Sequence, residues 1–253
     1  MQLHCIAPLR AQTARSPITQ LKKPCFARAT GRRTAVAVAE AHSSTRFAQE
    51  DPRQQLQLAL KEWAVTCAAL GQGDQTIILR KGGIREPAFR PAASTFLLFP
   101  TSFHSNTRLL RPVANVKYQQ ELAFDQKTAT HLTIKHIASL TGCWTTFDPF
   151  VLSALSDHHV WTEEFLSTRL KWKPKQPITV MELRCSQLQQ PLVTPTQDSY
   201  WGCFSWIDVE QGVTKEQLTT AEAVIDNSDY QGRQQQVRRA LGQLDDCTEV
   251  VVK

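Results

Sequence analysis

The absence of acidic residues from positions 1–39 limits which part of this chain can form a folded domain. The segment carries seven basic side chains and no carboxylate before Glu40, and it ends in the run TAVAVA. An Arg-rich, acid-free N-terminal segment is typical of an organelle transit peptide, and it lacks the continuous apolar run of a secretory signal. We therefore expect residues 1–39 to be a plastid transit peptide, with a mitochondrial presequence or a retained basic tail as alternatives.

The remaining residues, 40–253, set the composition of the folded part. They hold 22 of the 29 Lys and Arg residues and all 23 Asp and Glu residues, so their formal charge is near −1, against +6 for the whole chain. The global charge of this part gives no argument for a polyanionic partner. We expect a disordered lead-in at 40–50 and a single domain at 51–253, long enough to bury a core.

Five cysteines follow the leader, and they are Cys67, Cys143, Cys185, Cys203 and Cys247. Their odd number, wide spacing and lack of a C-x-x-C pair argue against a disulfide framework and a compact zinc site. No stretch approaches the ~18 consecutive apolar residues of a membrane span. The sequence therefore predicts a soluble protein of a reducing compartment such as the chloroplast stroma, without a membrane partner or metal site. It identifies no cofactor.

Apolar periodicity predicts the first elements. Asp51-Pro52 has the N-cap and first-turn residues of a helix, and apolar residues from Leu56 to Cys67 recur at three- and four-residue spacing. We expect one amphipathic helix here, ended by Gly71. The apolar runs 76–80 and 95–99 are predicted strands that can pair antiparallel through the connection between them.

Later segments complete an α+β prediction. The stretch 101–126 is predicted to be irregular, and Pro191 and Pro195 to mark a loop. Strands are expected within 130–146, through Leu132, Ile134 and Ile137, and at 178–184 and 203–209. Short helices are expected after Asp148-Pro149 and Thr162, a capping box at 214–217 and a last helix near 230–244. We predict a single domain with a mainly antiparallel or mixed sheet and flanking helices.

Several segments resemble a known family in their order and spacing. They are ALKEWA at 59–64, ILRKGGIRE at 78–86, FLLFPT at 96–101 followed by His104, HHVWT at 158–162, RLKWKP at 169–174 and YWGCFSW at 200–206. Together they resemble the domain of unknown function numbered 1802, common in photosynthetic microbes, over residues 56 to 245. The activity of that family is not established. Some relatives are said to carry a restriction-endonuclease-like domain, which implies a nucleic-acid setting; a single domain leaves no room for one here.

The segment Arg80-Lys81-Gly82-Gly83-Ile84-Arg85 is the sharpest local feature. Consecutive glycines let successive N–H groups point at one anion, and three cations flank them. From Lys61 to Lys117 there are eight basic residues and three acidic ones, a local charge of +5. The P-loop pattern is absent. The segment is therefore either an anion-binding loop or a Gly-Gly turn with solvated charges.

Three more residues are candidates for the same binding site. His104 and His158 can act as acid–base groups or ligands, and Trp161 can stack on a base. The alternatives are structural roles for the pair His158-His159 and a core position for Trp161.

A pair of carboxylates offers a catalytic alternative. Asp148 together with Glu182-Leu183-Arg184 resembles the carboxylates and E-x-K of metal-dependent nucleases. The third position is Arg184, which cannot lose its proton to act as a base, and Asp148 is also explained as a helix cap.

These observations leave three functions open. The first is a binding module that contacts an anionic partner such as nucleic acid through residues 80–85. The second is a metal-dependent phosphodiesterase using Asp148 and Glu182. The third is a structural or assembly protein without catalysis.

Overall fold

The computed structural model describes residues 55–83, 88–102 and 105–252, which form one compact unit. The predicted transit peptide, the helix start at Asp51-Pro52, Arg85 and His104 lie outside these residues. Within the described part, no helix is long and apolar enough to cross a membrane.

The described residues form the mixed sheet and flanking helices of an α+β fold, as predicted. The strands are β1 Leu56–Trp63, β2 Ile77–Arg80, β3 Thr95–Thr101, β4 His131–Thr146, β5 Ile178–Pro195, β6 Trp206–Val213, β7 Glu222–Ala223 and β8 Thr248–Glu249. The helices are α1 Ala64–Gly71, α2 Pro112–Lys117, α3 Gln119–Leu122, α4 Val151–Ala154, α5 Glu163–Lys171, α6 Lys215–Thr219 and α7 Asn227–Leu241.

The main strands are ordered β2-β5-β4-β3-β1-β6, with β7 paired to β5 and β8 to β4. The pairing of β1 with β3 is parallel, and the other pairings are antiparallel. The strands β2 and β6 are therefore the two ends of the main path. In a flat sheet they would lie five strand spacings apart, roughly 24 Å at ~4.8 Å each.

The sheet is strongly curled, because side chains join its two ends directly. Arg80 at the end of β2 donates a hydrogen bond to Ser205, which immediately precedes β6, over 2.7 Å. The Phe89 carbonyl accepts a hydrogen bond from Thr179 of β5, and the Phe89 ring stacks on Trp206 at a centroid distance of 6.2 Å. The path is not closed, since no ladder joins β2 to β6 in the described part. We call the gap bridged by these side chains the seam.

Apolar side chains fill both faces of the sheet. Leu60 and Phe96 belong to a large cluster that includes residues of α1, α4, α5 and α7, whereas Ala59 and Leu97 belong to a second cluster with Tyr200 and strand β6. Adjacent strand residues point to opposite faces, so these neighbours enter different cores. The centre of the sheet is therefore buried on both sides.

The predicted helix from Leu56 to Cys67 is wrong over its first half. Residues Leu56–Trp63 form β1, and the helix α1 begins only at Ala64. The strand pairs with both β3 and β6, and five consecutive residues from Ala59 are buried. A strand buried on both faces has no clean alternation, and its apolar spacing imitated a helical stripe.

Four other predictions need correction. The runs 76–80 and 95–99 are strands but do not pair with each other, because β5 and β4 lie between them. The stretch 101–126 contains α2 and α3. Strand β5 continues through Pro191 to Pro195, so these prolines do not mark a loop; Pro191 lies at a register shift against β4, where a proline is tolerated in a strand. The predicted strand at 203–209 begins at Trp206.

The remaining element predictions are confirmed within a few residues. Strand β4 includes the predicted Leu132–Ile137 and continues to Thr146, and α5 begins after Thr162 with Phe165 and Leu166 buried. The capping box at Thr214 is present in both directions. The five cysteines that follow the leader are free thiols.

Candidate functional site

A cavity of about 570 Å³ lies at the seam, and we call it the seam pocket. Its walls come from β1, the end of β2, the last turn of α5 with the residue after it, and the loop that precedes β6. Its charged lining residues are Lys61, Glu62, Arg80, Lys81 and Arg169. Four cations therefore face one carboxylate, a formal excess of three positive charges.

Arg80 holds the back of the pocket together. Its Nη1 donates to Glu62 Oε2 over 2.9 Å and to the Lys61 carbonyl over 3.2 Å, while Nη2 donates to Ser205 Oγ. Its guanidinium also lies over the ring of Phe89, 5.1 Å from the centroid. Because Glu62 is only 5% exposed, this ion pair is largely shielded from solvent. Arg80 therefore acts mainly as a structural bridge across the seam.

Lys61 points from the middle of a buried strand to the loop before β6. Its Nζ donates to the Gly202 carbonyl over 2.9 Å and lies 4.2 Å from the centroid of the Phe204 ring. Burial lowers the pKa of Lys61 to about 8; the neighbouring Cys203 opposes the shift and Arg80 adds to it. The ammonium group has no carboxylate partner in the described part of the chain. It is a desolvated charge that an anion would stabilise.

Lys81 and Arg169 also line the pocket. Lys81 is 5% exposed, and its Nζ donates to the Arg169 carbonyl over 3.0 Å. Burial, and then the charge of Arg169, lower the pKa of Lys81. The Arg169 guanidinium lies over the ring of Phe165, 4.8 Å from its centroid, and burial followed by the charge of Arg80 lowers its pKa. Among the described residues, no carbonyl or side-chain oxygen accepts a hydrogen bond from the Arg169 guanidinium.

Two exposed aromatic side chains stand at the pocket. Trp172 is 45% exposed and Phe204 is 44% exposed, and both belong to its lining. The loop that carries Phe204 depends on Gly202, whose φ of +137° lies outside the range of ordinary residues. A Cβ at this position would approach Phe204 Cε1 to 2.5 Å. The glycine therefore allows the loop to place its carbonyl on Lys61 and its aromatic ring beside it.

A second cavity has a different character. It has a volume of about 560 Å³ and is lined by α1, α3 and the start of β4. Lys135 and Glu121 balance each other in its lining, and burial lowers the pKa of His136 to about 4, so that this ring is neutral at pH 7. It lacks the excess positive charge of the seam pocket.

The structure brings together part of the predicted binding set. Arg80, Lys81 and Gly83 line the seam pocket, and the Gly83 carbonyl accepts a hydrogen bond from Lys173. Gly82 is buried and does not line it. Arg85 and His104 lie outside the described residues.

The other two predicted residues lie in the core. His158 is buried, its Nδ1 is 3.5 Å from Thr76 Oγ1, and burial lowers its pKa. Trp161 is buried with its ring stacked on Phe165 at 4.4 Å, and Arg169 lies over that same Phe165 ring. Trp161 therefore packs against the same ring that Arg169 contacts, and it does not line the cavity. The structural alternatives considered for both residues fit these positions.

Four pocket residues were not among those proposed for the site from the sequence. Lys61 was counted only in the local charge of residues 61–117, Arg169 lay in a predicted helix, and Trp172 and Phe204 were interpreted as core or strand aromatics. A signal was available, since all four fall in segments that carry the family resemblance. What was missing was the curl that brings these segments together.

The carboxylates of the nuclease alternative do not meet. The Glu182 side chain is 1% exposed and accepts bonds from Thr141, Gln234 and Arg238. Asp148 accepts bonds from the amides of Phe150 and Asp245. Glu182 pairs with Gly142 of β4, and Asp148 follows the end of that strand at Thr146. The four-residue step from Gly142 to Thr146 corresponds to roughly 13 Å. The described residues contain no group of three or more His, Cys, Asp or Glu side chains arranged for a metal.

The fold and this cavity define a class of protein: an α+β domain whose curled, unclosed sheet holds a basic pocket at its seam. The chain belongs to the family described as "Domain of unknown function (DUF1802)", whose sequence model matches residues 59–236. No curated protein matches its sequence.

Solved structures show a distant likeness. A point mutant of the ASCH protein of Zymomonas mobilis is 15% identical, with a TM-score of 0.37 over 65% of this chain and 98% of that one. The ASCH protein itself is 14% identical, with a TM-score of 0.35 over 65% of this chain and 95% of that one.

Proposed function

We propose that this protein is a nucleic-acid-binding module and that the seam pocket is its binding site. The observation that supports the proposal is the composition of the pocket: four cations against one carboxylate, with two exposed aromatic rings beside them. Residues 40–253 as a whole have a formal charge near −1, pocket included. Concentration of positive charge at one cavity therefore distinguishes this surface from the rest.

The chemistry of the pocket fits single-stranded nucleic acid. Phosphate groups pair with Lys and Arg, and exposed bases stack on aromatic rings at about 1–3 kcal/mol per base. Lys61, Lys81 and Arg169 supply cations that form no salt bridge with a carboxylate in the described part of the chain, and Trp172 and Phe204 supply the rings. A duplex hides its base faces, so a strand with accessible bases is the better partner.

The test is binding of fluorescent single-stranded RNA and DNA by the full chain, measured by anisotropy. Arg169→Ala removes a cation that has no hydrogen-bond acceptor among the described residues, and we expect it to weaken binding about tenfold, as for loss of one charge-assisted hydrogen bond. Arg239→Ala on the exposed side of α7 is the matched control and should bind as wild type. Residues 1–39 are present in every variant, so their own charge cancels in the comparison.

The aromatic residues provide an independent readout. Trp172→Ala and Phe204→Ala should weaken binding, whereas Phe150→Ala, which removes a 69% exposed ring outside the pocket, should not. Equal affinities for wild type, Arg169→Ala and Trp172→Ala would refute the proposal. A protein partner recovered without nucleic acid would favour the assembly role instead.

Where the module acts is a separate proposal. We propose that residues 1–39 direct it to a plastid, on the basis of their seven basic and no acidic side chains. A fusion of residues 1–39 to a fluorescent protein tests this in plant or algal cells. Fluorescence in plastids is expected, and fluorescence confined to mitochondria or cytosol would contradict it.

A further inference from the structure

The cations of the seam pocket differ in how far the protein neutralises them. Arg80 is paired with Glu62 at 2.9 Å. Lys61 and Lys81 each donate to one backbone carbonyl, and each ammonium carries three protons. Within the described residues the Arg169 guanidinium has no acceptor. The pocket thus presents three cations with spare donors and an uncompensated charge.

Because these groups are buried, the affinity of the pocket for a ligand should depend strongly on the charge of that ligand. Lys61 is 8% exposed and Lys81 is 5% exposed, so solvent screens them poorly. An internal phosphodiester brings one negative charge. A phosphate monoester brings about −1.5 to −2 charges at pH 7 and three strong acceptor oxygens. The three acceptor oxygens and nearly two negative charges of a monoester match the three cationic groups of the pocket better than the single negative charge of a diester does.

We propose that the seam pocket takes a phosphate monoester, the phosphorylated end of a nucleic acid strand or a free nucleotide, in preference to the internal phosphodiester backbone. This inference rests on the proposed function and specifies its ligand. The cavity, about 570 Å³, lies within the usual range for a small-molecule site of roughly 300–1,000 Å³. It accommodates one terminal nucleotide, with its base against Trp172 or Phe204.

The acid–base behaviour of both partners defines a pH window. The second pKa of a phosphate monoester is about 6. Burial holds the pKa of Lys61 at about 8; the charged and titratable groups that line the same cavity are Glu62, Arg80, Lys81, Arg169 and Cys203. Dianion and ammonium therefore coexist mainly between these values. The preference for a monoester should shrink below pH 6, where the phosphate loses its second charge.

The experiment compares oligonucleotides of one sequence that carry a 5′-phosphate, a 3′-phosphate or hydroxyls at both ends, bound to the full chain at pH 7. We expect at least one phosphorylated end to bind about tenfold more tightly than the hydroxyl form. Adenosine monophosphate and inorganic phosphate, added as competitors, test the free-nucleotide source. A phosphoserine peptide that displaces the oligonucleotide equally well would overturn the assignment to nucleotides.

Variants connect the preference to the pocket. Lys81→Met keeps the aliphatic stem and removes the charge, and it should reduce the preference to less than threefold. Lys175→Met, at an exposed lysine outside the pocket, should leave it intact. The pH dependence of the wild-type preference supplies a second readout that needs no variant, and a preference unchanged between pH 7 and pH 5 would contradict the inference.

The outcomes separate this inference from the proposed function. Equal, salt-sensitive binding of all three oligonucleotides would overturn the monoester preference and leave nucleic-acid binding standing. Binding of adenosine monophosphate without binding of any oligonucleotide would support the monoester and overturn the nucleic-acid module. Absence of binding by every probe would overturn both.

Discussion

At the scale of residues, Lys61 carries the most information about the pocket. It sits between buried neighbours in β1, and within the described ranges its ammonium group contacts a backbone carbonyl and an aromatic ring but no carboxylate. Lysine is almost never buried without a partner, because desolvation disfavours its charged form. The lowered pKa of about 8 expresses that cost. An anion in the pocket would remove it and raise the pKa.

The titration of Lys61 predicts how binding depends on pH. As pH rises through about 8, the ammonium loses its proton and the pocket loses one positive charge, so oligonucleotide affinity should fall between pH 7 and pH 9. Lys61→Arg keeps its charge throughout this range and should show a smaller decline. Anisotropy at constant ionic strength measures both.

The comparison needs a check on folding. Circular dichroism at each pH should show that Lys61→Arg retains the wild-type fold, because the larger guanidinium must fit beside Phe204. Identical pH profiles for the folded variant and the wild type would show that Lys61 does not contact the ligand.

At the scale of elements, the seam between β2 and β6 organises the site. The contacts of Arg80 with Glu62 and Ser205 join strands that lie far apart in the order of the sheet. The pocket exists only because these edges approach without pairing. Weakening the bridge should therefore affect both stability and binding.

Ser205→Ala tests the bridge. It removes the acceptor of one hydrogen bond from a buried guanidinium, and we expect the free energy of unfolding to fall by about 1.5 kcal/mol. Ser199→Ala is the control, because Ser199 is exposed and lies before the loop that leads into β6. It should change the free energy of unfolding by less than ~0.5 kcal/mol. Urea denaturation measures both variants. A loss no larger than that of the control would mean that the seam does not depend on this bond.

Local sequence signals predicted most elements but not their partners. The capping box at Thr214 and the acidic first turn of α5 are local features and were correctly read. Strand β1 was misread because its burial on both faces arises from pairing with β3 and β6, which are remote in sequence. Pairing between distant segments carries no local signature in one chain.

At the scale of the whole molecule, curling of the sheet explains why the site was only half predicted. Arg80 and Lys81 were identified from a local charge pattern. Lys61, Arg169 and Phe204 join them only after the sheet bends the ends of its path together. The same argument explains why His158 and Trp161, attractive by residue type, turn out to be buried in the core.

The distribution of charge also acts at this scale. Outside residues 1–39 the formal charges of the chain nearly cancel, so its net charge supplies little general attraction for a polyanion. We therefore predict a weak general attraction and a specific contribution from one pocket. This distinguishes it from proteins that bind nucleic acid through an extended basic surface.

The most direct test is the dependence of oligonucleotide affinity on salt. For a single strand, the logarithm of the association constant falls with the logarithm of salt concentration by about 0.7 for each neutralised phosphate. We predict that Arg169→Ala lowers this slope by roughly 0.7–1 relative to the full-length wild type, while Arg239→Ala leaves it unchanged. Identical slopes for all three proteins would contradict the central claim that the seam pocket holds the phosphate.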